Sequence, residues 1–202
     1  MVSPASLAAR CLLKARLTEL PVDPRLMLCF CRGTYLYTRE QALRARVDPE
    51  KLSVLGDSLP AATFIDPKSE APRLLAVVYM PNTDPVRLRF SLAHELGHIA
   101  LKHRGFEAPG ERLSPLQEKA ADVFARWLLM PPALVRALQR ERGALYAEQL
   151  MAVFGVSLRE ALRAEALPPP DPKTDAPLCD LLLDKALARI PARVPASWHL
   201  LN

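Results

Sequence analysis

The chain has 202 residues, half of them hydrophobic, a net charge of +5 and four cysteines. That length suits one compact domain with an appendage, and no apolar run approaches the ~20 residues of a membrane span, so no membrane association is expected. Cys11, Cys29, Cys31 and Cys179 lack zinc-finger spacing and read as free thiols of a reducing, cytoplasmic compartment. The opening Met-Val-Ser-Pro-Ala-Ser lacks the basic and then apolar pattern of a secretory leader. The positive charge permits contact with nucleic acid or an acidic partner without requiring it.

Taken in chain order, Pro4 to Glu19 carries apolar residues at helical spacing and predicts an amphipathic helix. Leu26 to Cys31 and Thr34 to Thr38 are β-prone runs joined by Arg32-Gly33, the pattern of a hairpin that would set Cys29 and Cys31 on one strand face. A short helix or irregular segment is expected around Asp48 to Val54, and brief strands over Ala62 to Ile65 and Leu74 to Met80. Asp84 and Pro85 are N-cap and first-position signals for a helix running to about Leu101.

Lys102 to Leu113, with Gly105, Pro109 and Gly110, reads as a loop. Ser114-Pro115-Leu116-Gln117 is a capping box that starts a helix reaching about Met130, where Pro131-Pro132 stop it. Ala133 to Glu141 is a further helix ended by Gly143. Ala147 to Phe154, Gly155-Val156 and the box Ser157-x-x-Glu160 form a helix-turn-helix pattern. Leu167 to Pro177 holds five prolines and reads as an extended linker, followed by an amphipathic helix from Leu178 to Ile190. The expected organisation is a catalytic domain over 1–131, a helix-turn-helix-like subdomain over 132–167, and a linker with its helix over 168–202.

The chemistry lies in His94-Glu95-Leu96-Gly97-His98. Two histidines four apart share a helix face, offset by roughly 40° and about 6 Å along the axis, so both imidazoles can reach one ion. Glu95, one step round, is placed to handle a water activated at that ion, which is the arrangement of a zinc-dependent hydrolase. Phe90, Leu92, Ala93, Leu96, Ile99 and Leu101 make the helix largely buried, where unpaired histidines and a glutamate would be costly.

A catalytic zinc takes three protein ligands and one open position. The extension His-x-x-Gly-x-x-His fails, because Leu101 and Arg104 stand where glycine and histidine would be needed. Continuing the helix would carry His103 to the far side, where it reads as a helix C-terminal cation. Glu118 and Asp122, four apart on the next helix beside Ala121 and Ala125, offer a third ligand and a carboxylate to accept an N–H from a ligand histidine. Gly97 and Ala121 are small enough for the two helices to approach closely.

Arg89-Phe90-Ser91-Leu92-Ala93-His94-Glu95-Leu96-Gly97-His98, followed by Glu118-x-x-Ala121-Asp122-x-Phe124-Ala125-x-x-Leu128-Leu129-Met130-Pro131, resembles the ImmA/IrrE family of metallo-endopeptidases. The resemblance covers roughly residues 70 to 165. It implies a small α+β, zincin-like domain with a few-stranded antiparallel or mixed sheet packed on helices, followed by a helix-turn-helix-like segment. It further implies zinc (or manganese) on His94, His98 and Glu118, with Glu95 as catalytic base. Its members cleave repressors that carry a helix-turn-helix, releasing stress-response or mobile-element genes, so such a repressor is the expected partner. Ala120 departs from the glutamate found there in many relatives; that position is not expected to coordinate the ion.

Hydrolysis of this kind also needs an oxyanion donor. Tyr79 is the first candidate, with Tyr35, Tyr37, Tyr146 or an arginine as alternatives. The peptide is expected to pair with an exposed sheet edge near Leu74 to Tyr79. Two other functions fit the sequence. One is a DNA-binding regulator using Ala147 to Leu167; its helices are short, Met151 stands where a small residue is usual, and Glu160 and Glu165 would share the exposed face with its arginines, so DNA binding is not favoured. The other is a catalytically latent zinc-binding sensor.

Overall fold

A computed structural model describes residues 3–56, 59–65, 75–103 and 113–191. The described chain is α+β: ten α-helices, the first of them α1 (Pro4–Ala15), one turn of 3-10 helix and a three-stranded sheet. It divides into two compact units, Met1–Ala8 with Asp23–Arg126, and Ala9–Val22 with Trp127–Asn202.

The first unit is built on the sheet. Strands β1 (Thr34–Thr38), β2 (Ala61–Ile65) and β3 (Leu75–Tyr79) lie in the order β1-β3-β2, with β1 parallel and β2 antiparallel to β3. The sheet is therefore mixed. Strand β3 is its centre, so the expectation that a peptide adds to that strand fails: both its edges are already hydrogen-bonded. Alternation along the strands sends Ala76 and Val78 into a core with Ala42, Val47, Leu52 and Leu55, joined by Tyr37, Ala62, Phe64 and Met80. Helices α3 (Arg39–Arg44) and α4 (Pro49–Leu52) supply part of that core.

The opposite sheet face carries Thr63 and Val77, paired in register, and α5 (Pro85–Ala100) packs on β2 and β3. Asp84 accepts the Arg87 N–H at 2.8 Å and Pro85 occupies the first helical turn, so the helix begins where its capping signals put it.

Leu26 to Cys31 is not a strand. Residues 24–29 form helix α2 (Pro24–Cys29), with Asp23 as N-cap and Pro24 at the first turn. The Asp23 side chain accepts the Arg25 N–H at 3.0 Å. Two helix-start signals outweigh the β-propensity of a six-residue run, and Cys29 closes the helix instead of sharing a strand face with Cys31. All four cysteines are free thiols.

The second unit is helical. Past the end of α6 (Pro115–Leu129) come α7 (Pro132–Arg142), α8 (Ala147–Phe154), α9 (Leu158–Leu162) with the 3-10 turn Arg163–Ala166, and α10 (Pro172–Arg189), which packs on α7 and α8. The proline-rich stretch is more helical than its composition predicts. Asp171 caps α10 through the Lys173 N–H at 3.1 Å, Pro172 sits in the first turn, and Pro177 is accommodated inside the helix. Arg136 of α7 donates to the Pro168 carbonyl of the remaining extended residues at 2.9 Å and to Asp175 of α10 at 2.5 Å.

Gly155, at φ +58°, gives the left-handed turn between α8 and α9. Glu160 does not face solvent there; it is buried and paired with Arg163 at 2.9 Å. The expected loop residues 104–112 and the tail from 192, with His199, lie outside the described residues. Among the described residues, no helix is long and apolar enough to cross a membrane.

Candidate metal centre

Helix α5 presents His94 and His98 one turn apart. Their Nε2 atoms lie 2.8 Å from each other, and Glu118 Oε2, from the first turn of α6, lies 3.2 Å from His94 Nε2 and 3.8 Å from His98 Nε2. These three residues form a group whose ligand atoms all fall within 4.8 Å of one another.

A tetrahedral zinc with bonds of about 2.0–2.1 Å spaces its ligand atoms by about 3.3 Å, and the three observed separations bracket that value. The donor chemistry agrees: two imidazoles and a carboxylate, with each ring's other nitrogen engaged elsewhere. His94 Nδ1 lies 2.9 Å from Asp122 Oδ1, and His98 Nδ1 lies 2.9 Å from His103 Nδ1. The residues present fit a divalent ion.

Local sequence explains why α6 delivers Glu118. Ser114 and Gln117 close the capping box, backbone N–H to Oε1 at 2.9 Å and backbone N–H to Oγ at 3.3 Å, so the helix starts in register. Glu118 and Asp122 then share one face. A Cβ placed on Gly97 would stand 3.0 Å from Phe124 Cδ1 and 3.2 Å from the Ala121 backbone. The absence of a side chain at 97 is what lets the two helices come this close.

Glu95 is buried, at 7% exposure, and the Thr63 hydroxyl of β2 donates to its Oε2 at 2.5 Å. Burial pushes its carboxyl up to about 7; the hydrogen bonds from Thr63 and the nearby His94 pull in the opposite direction, while Glu118 adds to the rise. A carboxyl that changes charge near neutrality can both take and return a proton.

Burial alone would lower His94, but the Asp122 hydrogen bond with the charges of Glu95, Asp122 and Glu118 holds it above the usual histidine range. His98 is lowered to about 3, first by burial and then by its neighbours His94 and His103. A neutral imidazole is the form that ligates.

His94, His98, Glu118, Asp122 and Glu95 thus come together as one cluster. Tyr79 ends β3 opposite Ala61, on the sheet face that carries Thr63 and Val77, and its phenol is near enough to Arg25 to raise that guanidinium further. Tyr35 and Tyr37 follow the register of Ala76 and Val78 and belong to the other face. Tyr146 precedes α8 in the helical unit.

Two neighbours of the cluster, Thr63 and His103, are not marked by the sequence as part of it. Thr63 sits in a short strand with no motif around it, so nothing short of β2's position against α5 marks it. His103 is not a free helix-end cation. Helix α5 stops at Ala100 and Lys102 takes φ +56°, which turns the chain back over His98. The extrapolation along a straight helix failed because the helix ends first.

A family model for the IrrE N-terminal-like domain (Peptidase_M78) matches residues 66–164, about half of the chain and all of the cluster just described. The chain belongs to the ImmA/IrrE family. No individual characterised protein matches it. Peptidase activity is thus the family's chemistry, and the His94, His98 and Glu118 group could hold a metal ion. The ImmA/IrrE match spans the boundary between the two units and ends at Ala164, just beyond α9.

Proposed function

We propose that this protein is a zinc-dependent endopeptidase of the cytoplasm that cleaves a helix-turn-helix repressor and so relieves repression of stress-response or mobile-element genes. The observation that carries the hydrolytic reading is the convergence of His94, His98 and Glu118 within 4.8 Å beside a buried Glu95. The repressor as substrate rests on the family resemblance drawn from the sequence. Zinc is the ion of choice for two imidazoles and one carboxylate, with manganese as the alternative.

Bound there, the ion would polarise the scissile carbonyl and acidify a water. Glu95 takes the proton from the attacking water and delivers it to the departing amine, a task suited to a buried carboxyl beside the ligand group. Thr63 holds Glu95 in one orientation, and Asp122 fixes the tautomer of His94 so that Nε2 remains bare. Tyr79 remains the candidate donor to the oxyanion from the sheet. With β3 already paired on both sides, β2 is the strand edge beside Thr63 to which a peptide would add.

DNA binding through α8 and α9 gains no support, since α9 is a helix of only 5 residues. The decisive experiment incubates the purified protein with the helix-turn-helix repressor encoded beside its gene, with zinc and with chelator. Two fragments that appear only with zinc are expected. Stoichiometric zinc without cleavage would replace this reading with that of a metal sensor.

A further inference from the structure

We propose that His103 is a positioning residue for His98: it accepts the Nδ1–H of His98 and thereby turns the bare Nε2 of that ring toward His94 and Glu118. The proposal rests on the ligand reading above.

The two nitrogens of His98 are committed to different neighbours. Nε2 lies 2.8 Å from His94 Nε2, and Nδ1 lies 2.9 Å from His103 Nδ1. The His98 and His103 ring planes are inclined at 66° with centroids 5.0 Å apart, which excludes a parallel stack and leaves the 2.9 Å contact between the two Nδ1 atoms as the hydrogen bond. A neutral imidazole has one donor and one acceptor nitrogen. If His98 coordinates through Nε2, its proton is on Nδ1. A single proton then occupies the Nδ1 to Nδ1 contact, so His103 must keep Nδ1 bare and carry its own proton on Nε2.

The backbone holds this contact in place. The His103 N–H donates to the His98 carbonyl at 3.0 Å, Leu101 N–H to Gly97 at 2.9 Å and Lys102 N–H to Ile99 at 3.1 Å. Lys102 at φ +56° makes the reversal. The same two histidines are thus joined once through the main chain and once through their rings, which fixes the His98 ring about its own axis. His98 is 2% exposed, so water does not offer a ready substitute for the acceptor. The pair parallels Asp122 with His94, except that the acceptor is neutral and adds no charge beside Glu118.

The test uses the full chain as wild type, His103→Leu, His103→Asn and His98→Ala. Zinc affinity is measured by competition with a chromogenic chelator, and histidine tautomers by 15N NMR of the zinc-loaded wild type. His103→Leu should bind zinc on the order of tenfold to a hundredfold more weakly with its circular dichroism unchanged. His103→Asn, whose Oδ1 replaces the acceptor, should recover most of that loss. The NMR should show a protonated Nδ1 on His98 and a bare Nδ1 on His103; this measurement stands even if the leucine variant does not fold. Wild-type affinity in His103→Leu, or a proton on His103 Nδ1, overturns the proposal and leaves the ligand reading intact. If His98→Ala binds zinc as tightly as wild type, both fall.

Discussion

Thr63 Oγ1 lies 2.5 Å from Glu95 Oε2, joining β2 to α5 across 32 positions of sequence. Both side chains are buried. Removing the hydroxyl leaves a buried carboxyl short of a donor, worth about 1.5–3 kcal/mol where the acceptor is charged. Thr63→Val should lower kcat for peptide cleavage on the order of tenfold to a hundredfold, and Thr63→Ser should recover most of it. An unchanged kcat in the valine variant would remove Thr63 from the mechanism.

Glu95→Gln keeps the size of the side chain and its contact with Thr63 but cannot take a proton. Zinc should remain bound at wild-type stoichiometry, read by metal analysis of the dialysed protein, while hydrolysis falls by at least about 100-fold. Retained cleavage would assign the base elsewhere.

Asp122 accepts from His94 Nδ1 at 2.9 Å. Asp122→Asn offers an amide that can present its N–H₂ to the same ring and favour the wrong tautomer. Zinc affinity should drop roughly tenfold to a hundredfold in a chelator competition. Asp122→Glu, with its carboxylate displaced by a methylene, should fall between the two.

Gly97→Ala sets two effects against each other. Alanine favours a helix interior by about 1 kcal/mol, but its Cβ would press on Phe124 Cδ1 at 3.0 Å and on the Ala121 backbone at 3.2 Å. Phe124 is fully buried and the backbone atoms cannot swing aside. Overpacking of this kind costs about 1–3 kcal/mol, so the steric effect should win. Thermal denaturation should show a lower Tm, and zinc binding should weaken because Glu118 rides on the displaced helix. A raised Tm would mean that α6 yields easily.

Burial raises Glu95 to about 7 against an ordinary value near 4.5, with Glu118 adding to the rise and Thr63 and His94 opposing it. The folded metal-free chain therefore holds a proton that the unfolded chain has already released across that interval. Stability from this group is fully present below the unfolded value and is lost as pH rises through about 7. Urea unfolding of the metal-free protein at successive pH values should show wild type losing ground to Glu95→Gln as pH rises. Parallel curves for the two proteins would mean that Glu95 titrates normally.

How far the sequence reached depended on the range of the interaction being read. Helical period and capping residues are local, and they were enough to set the start of α5 at Asp84-Pro85, the capping box of α6 and the shared faces of His94 with His98 and of Glu118 with Asp122. They also fixed the pairing of a glycine at 97 with an alanine at 121 as a place for close approach. Residues 24–29 are helical against their composition because β-propensity is a weak preference that a single capped helix start overrides. Residues 172–177 are helical despite their prolines because Asp171 caps the helix and Pro172 sits in its first turn.

Residue identity and helical spacing marked the candidate chemistry of the centre: the side chains proposed to ligate, the proposed base, and a helix-borne carboxylate to complete the set. Those assignments rest on residue identity and on spacing within single helices, where geometry is fixed by 3.6 residues per turn. The surroundings that tune them come from contacts between distant parts of the chain. Thr63 reaches Glu95 from a strand, β3 becomes the inner strand of the sheet, and a left-handed residue at Lys102 folds His103 back on His98. Each depends on chain reversal and strand order, which arise from packing between distant segments and leave no periodic trace in the sequence.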